Sequence, residues 1–384
     1  MPRLYLDKNL QIMFGVTLMV ILGVSSIMPA LPELMRAMQV PARSIGLVIT
    51  AFTLPGIFLA PIVGILADRA GRKEILVVSL LFFGIFGTAC AFSWNFESLL
   101  VFRFLQGIGV GALSVLTVTI IGDLYEGEER ISALGYTTVI LSVGTGAFPL
   151  IGGMLTMIGW QYPFLLNILA LPVGLLVHFF LRNPEPSNSH DFKEYVKRTF
   201  SVIRTRKAMG LFAITFLSLM VLYGPYITYV PVLLNERFQC SPVTIGIVVS
   251  VSSLFTGLAS SQVGRLATRF QVVSILCFAF VLYVLSLSMI PFISHLWVIV
   301  IPAAVFGAAM GLNAPSRMSL LTGLAPIGQR AAVISINGIF QRLGQTISPI
   351  LMGLILADFG LDAVFWAGTA VTLVMLAVAV WVVK

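Results

Sequence analysis

Three arginines, Arg103, Arg317 and Arg342, stand inside long apolar stretches of this 384-residue chain. A charge in that setting is costly and usually functional. Arg342 falls about eleven residues into its stretch, near the middle of a membrane-length segment. Asn337, Gln341 and Gln345 flank it at helical spacing and share one face, and Asn313 adds a further amide on the preceding stretch. Such a face can hold an anionic or polar solute, or it can tie helices together. Arg103 lies a turn or two from the end of its segment. Arg317 lies toward the end of its own and is expected to snorkel to the membrane surface. Tyr223, Tyr226 and Tyr229 recur at a spacing of three. They either line a cavity, with rings for an apolar body and hydroxyls for a polar group, or form a belt at the membrane interface.

The acids lie elsewhere. Glu33, Glu97 and Asp123 sit near segment ends, Asp358 and Asp362 between segments, and none at mid-segment. Proton transfer would therefore fall to a peripheral acid such as Glu33, Asp68 or Asp123, with Arg103 as a tuning neighbour. A net positive interior disfavours permanently cationic solutes and favours neutral, zwitterionic or anionic ones. Catalysis is not indicated. His178, His190 and His295 are isolated, and with Cys90, Cys240 and Cys277 they offer neither metal spacing nor a disulfide framework. No hydroxyl–histidine–acid set converges, and no phosphate-cradling loop is present. No enzyme activity, cofactor or metal is expected.

The elements that must position these residues are membrane helices. The chain is 58% hydrophobic and 10% charged, whereas charged residues make up about a quarter of a soluble domain. Apolar runs long enough to span a bilayer begin near Leu10, Ile45, Ile75, Leu99, Ile131, Pro163, Met209, Val243, Val272, Leu296, Ala331 and Leu361, which makes twelve. The first follows Arg3 and Lys8 with no small-residue cleavage site, so it is expected to be retained. The net charge of +8 is topological. Arg3, Lys8, Arg69, Arg72, Lys73, Arg130, the basic stretch from Arg182 to Lys207, Arg265, Arg269, Arg330 and Lys384 fall on one side, against Arg36, Arg43 and Arg237 on the other. That bias predicts both termini in the cytoplasm and argues against a nucleic-acid partner.

Adding 200 to a position often lands on its counterpart. Ser44 to Val48 matches Thr244 to Val248; Gly107 and Gly111 match Gly307 and Gly311; Arg130 matches Arg330; Pro149 and Gly153 match Pro349 and Gly353. Agreement of Gly, Pro and Arg in one register predicts two parallel six-helix repeats, residues 1–182 and 208–384. Residues 183–207 are the expected linker: Asn183 to Ser189 breaks any helix, and Phe192, Tyr195, Val196, Phe200 and Ile203 then share a helical face. This is either an amphipathic helix on the membrane surface or a solvated connector.

Gly64-Ile65-Leu66-Ala67-Asp68-Arg69-Ala70-Gly71-Arg72-Lys73 resembles the loop between the second and third helices of the major facilitator superfamily. A worn copy follows at Gly264 to Phe270, with Thr268 where the acid stood. Arg103 to Gly109 resembles that family's fourth-helix motif. Gly144, Pro149, Gly152 and Gly153 resemble the fifth-helix antiporter motif, with Phe148 replacing one glycine, and Trp160 to Asn167 resembles the start of the sixth helix in drug exporters. The resemblance is closest to the drug–proton antiporter branch. It implies an all-α, twelve-helix fold in a bacterial-type inner membrane and secondary active export by alternating access. It also implies a small-molecule substrate, a proton as coupling ion and a monomer in the lipid bilayer. In that frame Gly64, Asp68, Arg69, Gly71, Arg72 and Lys73 form a conformational latch, and Gly64 and Gly71 permit its turn. Ser25 stands where many such exporters carry an acid. An organic-anion or lipid-like-anion carrier, and a non-transporting sensor of the same fold, are the alternatives.

Overall fold

Without water, every backbone N–H and C=O in a span must be satisfied within the chain, so each apolar segment closes into a helix. The computed structural model describes residues 4–182, 205–324 and 330–383, with side chains given for all of these except 60, 61, 64, 65, 68, 69 and 330–332. The expected linker and its amphipathic face lie almost wholly outside the described residues, as do the side chains of Asp68 and Arg69. Among the described residues, twelve helices are long and apolar enough to cross a membrane. We number their main segments α1 (Lys8–Ser25), α2 (Leu47–Ala70), α3 (Arg72–Ala89), α4 (Phe96–Leu124), α5 (Gly127–Thr156), α6 (Ala170–Phe180), α7 (Arg206–Val221), α8 (Pro242–Ala267), α9 (Val272–Met289), α10 (Val300–Leu324), α11 (Arg330–Phe359) and α12 (Leu361–Val378). Large apolar side chains such as Phe92, Phe179 and Trp381 stay exposed, which lipid tolerates and water would not.

The chain divides into two compact units, Met1–Val40 with Leu47–Ser189, and Pro41–Gly46 with His190–Lys384. The 200-residue offset reappears in their packing. A Cβ on Gly107 would collide with the backbone of Phe52, and one on Gly307 with the backbone of Ser252. Gly111 faces Gly56, and Gly311 faces Thr256. In both units the missing side chain lets two helices meet backbone to backbone, α4 on α2 and α10 on α8. Thr256 Oγ1 spends this proximity on a hydrogen bond to Gly307 O at 3.0 Å.

Two spans depart from simple α-helix. The sixth enters through a short helix, Tyr162–Leu165, and a 3₁₀ turn, Leu166–Leu169, before α6. The seventh widens after α7 into a π-helix, Leu222–Tyr229, before resuming over Val230–Phe238. Pro225 inside this π segment withholds an N–H, and Thr228 Oγ1 donates to Tyr223 O at 2.6 Å across the wide turn. Such segments concentrate at functional sites.

The latch loop is corrected in one respect. Gly64 makes no turn, because α2 runs on to Ala70. The break falls at Gly71 alone, with φ +94 immediately before α3. Any Cβ there would also strike the Glu74 carboxylate, 2.8 Å from its Cδ. Gly71→Ala is expected to destabilise by about 1–2 kcal/mol from the left-handed backbone, plus the clash. Thermal unfolding of Gly71→Ala with and without Glu74→Ala separates the two, since the second change relieves only the clash.

Candidate functional site

The first unit buries a polar network around α4. Arg103 is 0% exposed. Its Nη1 donates to Gly23 O at 2.9 Å and to Gln106 Oε1 at 2.7 Å, and its Nε donates to Val48 O at 3.2 Å. Gln106 Nε2 passes the chain to Asn167 Oδ1 at 2.9 Å, and Asn167 Nδ2 ends it on Phe164 O. The guanidinium also lies 4.2 Å from the centroid of the Phe52 ring. Arg103 thus spends its charge on the backbones of α1 and α2, and no described acid is its ion-pair partner. The expectation that it tunes a peripheral acid is not met by any contact. The sequence placed Asn167 only at the end of the sixth-helix resemblance and gave it no partner; its placement depends on the 3₁₀ turn.

A second cluster gathers at one end of the same unit. Arg72, at the start of α3, forms an ion pair with Asp123 near the end of α4. Lys73 Nζ donates to Leu181 O at 2.9 Å. Asp7 caps α1 by accepting from Asn9 N at 2.9 Å and Leu10 N at 3.1 Å, and the Tyr125 hydroxyl donates to the same oxygen. Burial pushes the Asp7 carboxyl up, but the hydrogen bonds from Tyr125, Leu10 and Asn9 outweigh it and hold the group below the usual carboxylate range. Burial, then the Asp7 carboxylate, pushes the Tyr125 phenol up. Asp7 and Tyr125 escaped the sequence reading because they meet 118 positions apart. Glu33 is an exposed partner of Arg36 at 3.0 Å, three residues along the same short helix.

On α5 the small residues face α1. Gly144, Pro149, Gly152 and Gly153 are all buried. A Cβ on Gly152 would overlap Ser26 O and lie 2.6 Å from Ser26 C. α5 runs unbroken through Pro149, so the motif acts here as a close helix–helix seam.

The second unit sorts its polar residues into two sets. Asn337 is 2% exposed and accepts from Thr215 Oγ1 at 2.7 Å, joining α11 to α7. Asn313 is 3% exposed, and its Nδ2 donates to Ser218 Oγ at 3.1 Å, joining α10 to α7. Ser348 Oγ donates to Met220 O at 2.6 Å on the same seam. Both asparagines thus tie helices together, the second of the two roles their positions left open. Gln341, Arg342 and Gln345 form the other set and stay half-buried. Arg342 Nη1 donates to Gln345 Oε1 at 3.4 Å, and Arg342 lies within electrostatic reach of Tyr223.

The tyrosines also part company. Tyr226 is buried and stacks on Phe306 with ring centroids 3.9 Å apart; Tyr229 is buried with its hydroxyl 3.5 Å from Pro349 O. Only Tyr223 remains half-buried beside Arg342. The π-helix explains this, because its wider turn rotates residues three apart to different sides. Arg317 is corrected as well: it is 6% exposed and does not reach the surface. Cys240 is buried, and none of the three cysteines is in a disulfide. No group of three or more His, Cys, Asp or Glu side chains that could hold a metal occurs among the described residues.

A duplicated helical membrane fold of this kind has known counterparts. Residues 13–241 and 211–384 each match the Major Facilitator Superfamily. The chain belongs to this family. Quinolone resistance protein NorA of Staphylococcus aureus (strain MSSA476) is 21% identical over 374 residues, covering 96% of this chain and 95% of NorA. The bacillibactin exporter of Bacillus subtilis (strain 168) is 26% identical over 364 residues, covering 91% and 90%. Among solved structures, the nucleoside transporter NupG superposes with a TM-score of 0.83 at 13% identity, covering 98% of this chain and 100% of NupG. As a superfamily member, the protein is a multi-pass membrane transporter of small molecules and not an enzyme.

Proposed function

We propose that this transporter is a proton-coupled exporter of small amphipathic molecules, working by alternating access in a bacterial-type inner membrane with both termini cytoplasmic. The observation that carries the reading is the half-buried set Arg342, Gln341, Gln345 and Tyr223. It supplies a cation, two amides and a phenol within two membrane spans. Arg342 would take the acidic or carbonyl end of a solute, the amides would hydrogen-bond it, and Tyr223 would cover its apolar body. No described acid occupies mid-span to attract a permanent cation. The similarity to the bacillibactin exporter supports the outward direction.

For the proton, Asp123 is the best-placed acid among Glu33, Asp68 and Asp123. Its ion pair with Arg72 bridges α3 and α4, so protonation would release a cross-helix contact. Glu33 only meets its own neighbour at the surface.

Transport in proteoliposomes under an imposed pH gradient, across cationic, neutral and anionic solutes, tests both parts. Flux should follow the gradient, and Arg342→Gln should slow anionic solutes about tenfold, the loss of one charge-assisted hydrogen bond. Gradient-indifferent flux removes proton coupling. Unchanged anionic flux in Arg342→Gln removes the anchor.

A further inference from the structure

Arg317 is a buried cation with no counter-charge among the described residues. It is 6% exposed in α10, its Nη1 has no hydrogen-bond partner, and no ion pair reaches it from the described residues. The contrast with Arg103 is instructive. That arginine, equally buried, is met by two backbone carbonyls and an amide oxygen. The described acids of the second unit are Glu236, Asp358 and Asp362, all at span ends, and Asp362 already pairs with Arg237. Guanidinium stays protonated under any ordinary condition, and buried charges are ordinarily paired.

The surroundings are those of a ligand site. Asn313, Ser316 and Arg317 share one side of α10 at helical spacing. Ser316 Oγ is likewise buried and lacks a partner, and Asn313 Oδ1 has only the Tyr283 hydroxyl beside it. Tyr283 of α9 sits close enough to interact with both Asn313 and Arg317. Ser218 both donates and accepts, so the Asn313 amide can turn its N–H₂ inward without losing that bond. Guanidinium, two hydroxyls and an amide, with no acid beside them, offer donors to an anion and repel a cation.

We propose that Arg317, with Ser316, Asn313 and Tyr283, forms a binding site for a small monovalent anion, carboxylate or halide, within the second unit. This goes beyond the transport reading, since the site would exist whether or not the cargo is anionic. The anion is either the acidic group of a solute or a free ion, and the same donors serve both.

Thermal unfolding of the full-length protein in detergent tests it, with sodium bromide or sodium benzoate titrated against a bulky sulfonate at constant ionic strength. The unaltered protein should gain a saturable rise in Tm. Arg317→Gln should lose the saturable part, and Arg317→Lys should keep it with roughly tenfold weaker half-saturation, having the charge without the fork. A rise with benzoate alone assigns the site to a solute carboxylate; a rise with bromide as well assigns it to a free anion. No saturable rise with either salt, or one as large in Arg317→Gln, overturns the site. Bromide-soaked crystals of the unaltered protein decide independently of whether the variants fold: an anomalous peak at the Arg317 guanidinium is expected, and its absence there overturns the halide site. Should benzoate alone have raised Tm, that absence is the expected result.

Discussion

Arg103→Leu should cost the first unit roughly 3–5 kcal/mol, since three charge-assisted hydrogen bonds worth about 1.5–3 kcal/mol each are lost while the burial of a charge is relieved. The bonds run to α1 at Gly23, to the residues behind Phe52 on α2 at Val48, and to Gln106 on α4 itself. Their removal also strands Gln106 Oε1 and opens a void against Phe52 and Phe164. Arg103→Lys keeps the charge but lacks the planar fork that reaches several acceptors at once, so it should fall between. Labelling of the buried Cys90 thiol during heating gives a local readout, because Cys90 is 0% exposed and lies within electrostatic reach of Arg103. Unchanged unfolding of Arg103→Leu would mean that the network merely tolerates the arginine.

Gly152→Val is the second large effect, and its cause is purely steric. The first carbon of any side chain would overlap the carbonyl oxygen of Ser26 and sit 2.6 Å from its carbonyl carbon. The obstacle is backbone, so no rotamer change relieves it, and α5 must separate from α1. Overpacking costs about 1–3 kcal/mol where neighbours can shift, and more is expected here. Gly135→Ala, on the same helix with nothing within 4 Å of the added carbon, supplies the control. It should be neutral or stabilise by up to about 1 kcal/mol through better helix propensity. Equal losses for the two variants would show that α5 responds to its own flexibility and not to the seam.

The fold was legible because its signals are local and repeated. Twelve apolar runs of membrane length need no tertiary information, and Gly107, Gly111, Gly307 and Gly311 announced the duplication by register alone. Their structural meaning, close approach of α4 to α2 and of α10 to α8, follows from the same missing side chains. The site was less legible, since polar residues within a span look alike in sequence whether they face a solute or a neighbouring helix. Asn337 and Gln341 occupy one helical face, yet Thr215 reaches only the first. Tyr223, Tyr226 and Tyr229 sit at even spacing, yet a π-helix parts them. Partners such as Asp7 and Tyr125 meet only when segments 118 residues apart converge.

By itself, then, the sequence determined a twelve-helix duplicated transporter, its motif-bearing loop and the scarcity of acids at mid-span. These follow from hydropathy, spacing and residue type, which each segment carries alone. Only the tertiary structure decided which buried charges are satisfied. Arg103 found carbonyls from two other helices and Arg72 found Asp123, while Arg317 found no counter-charge among the described residues. Whether a charge deep in a span is structural or waits for a ligand depends on the neighbours that packing brings to it, and no single helix encodes those neighbours.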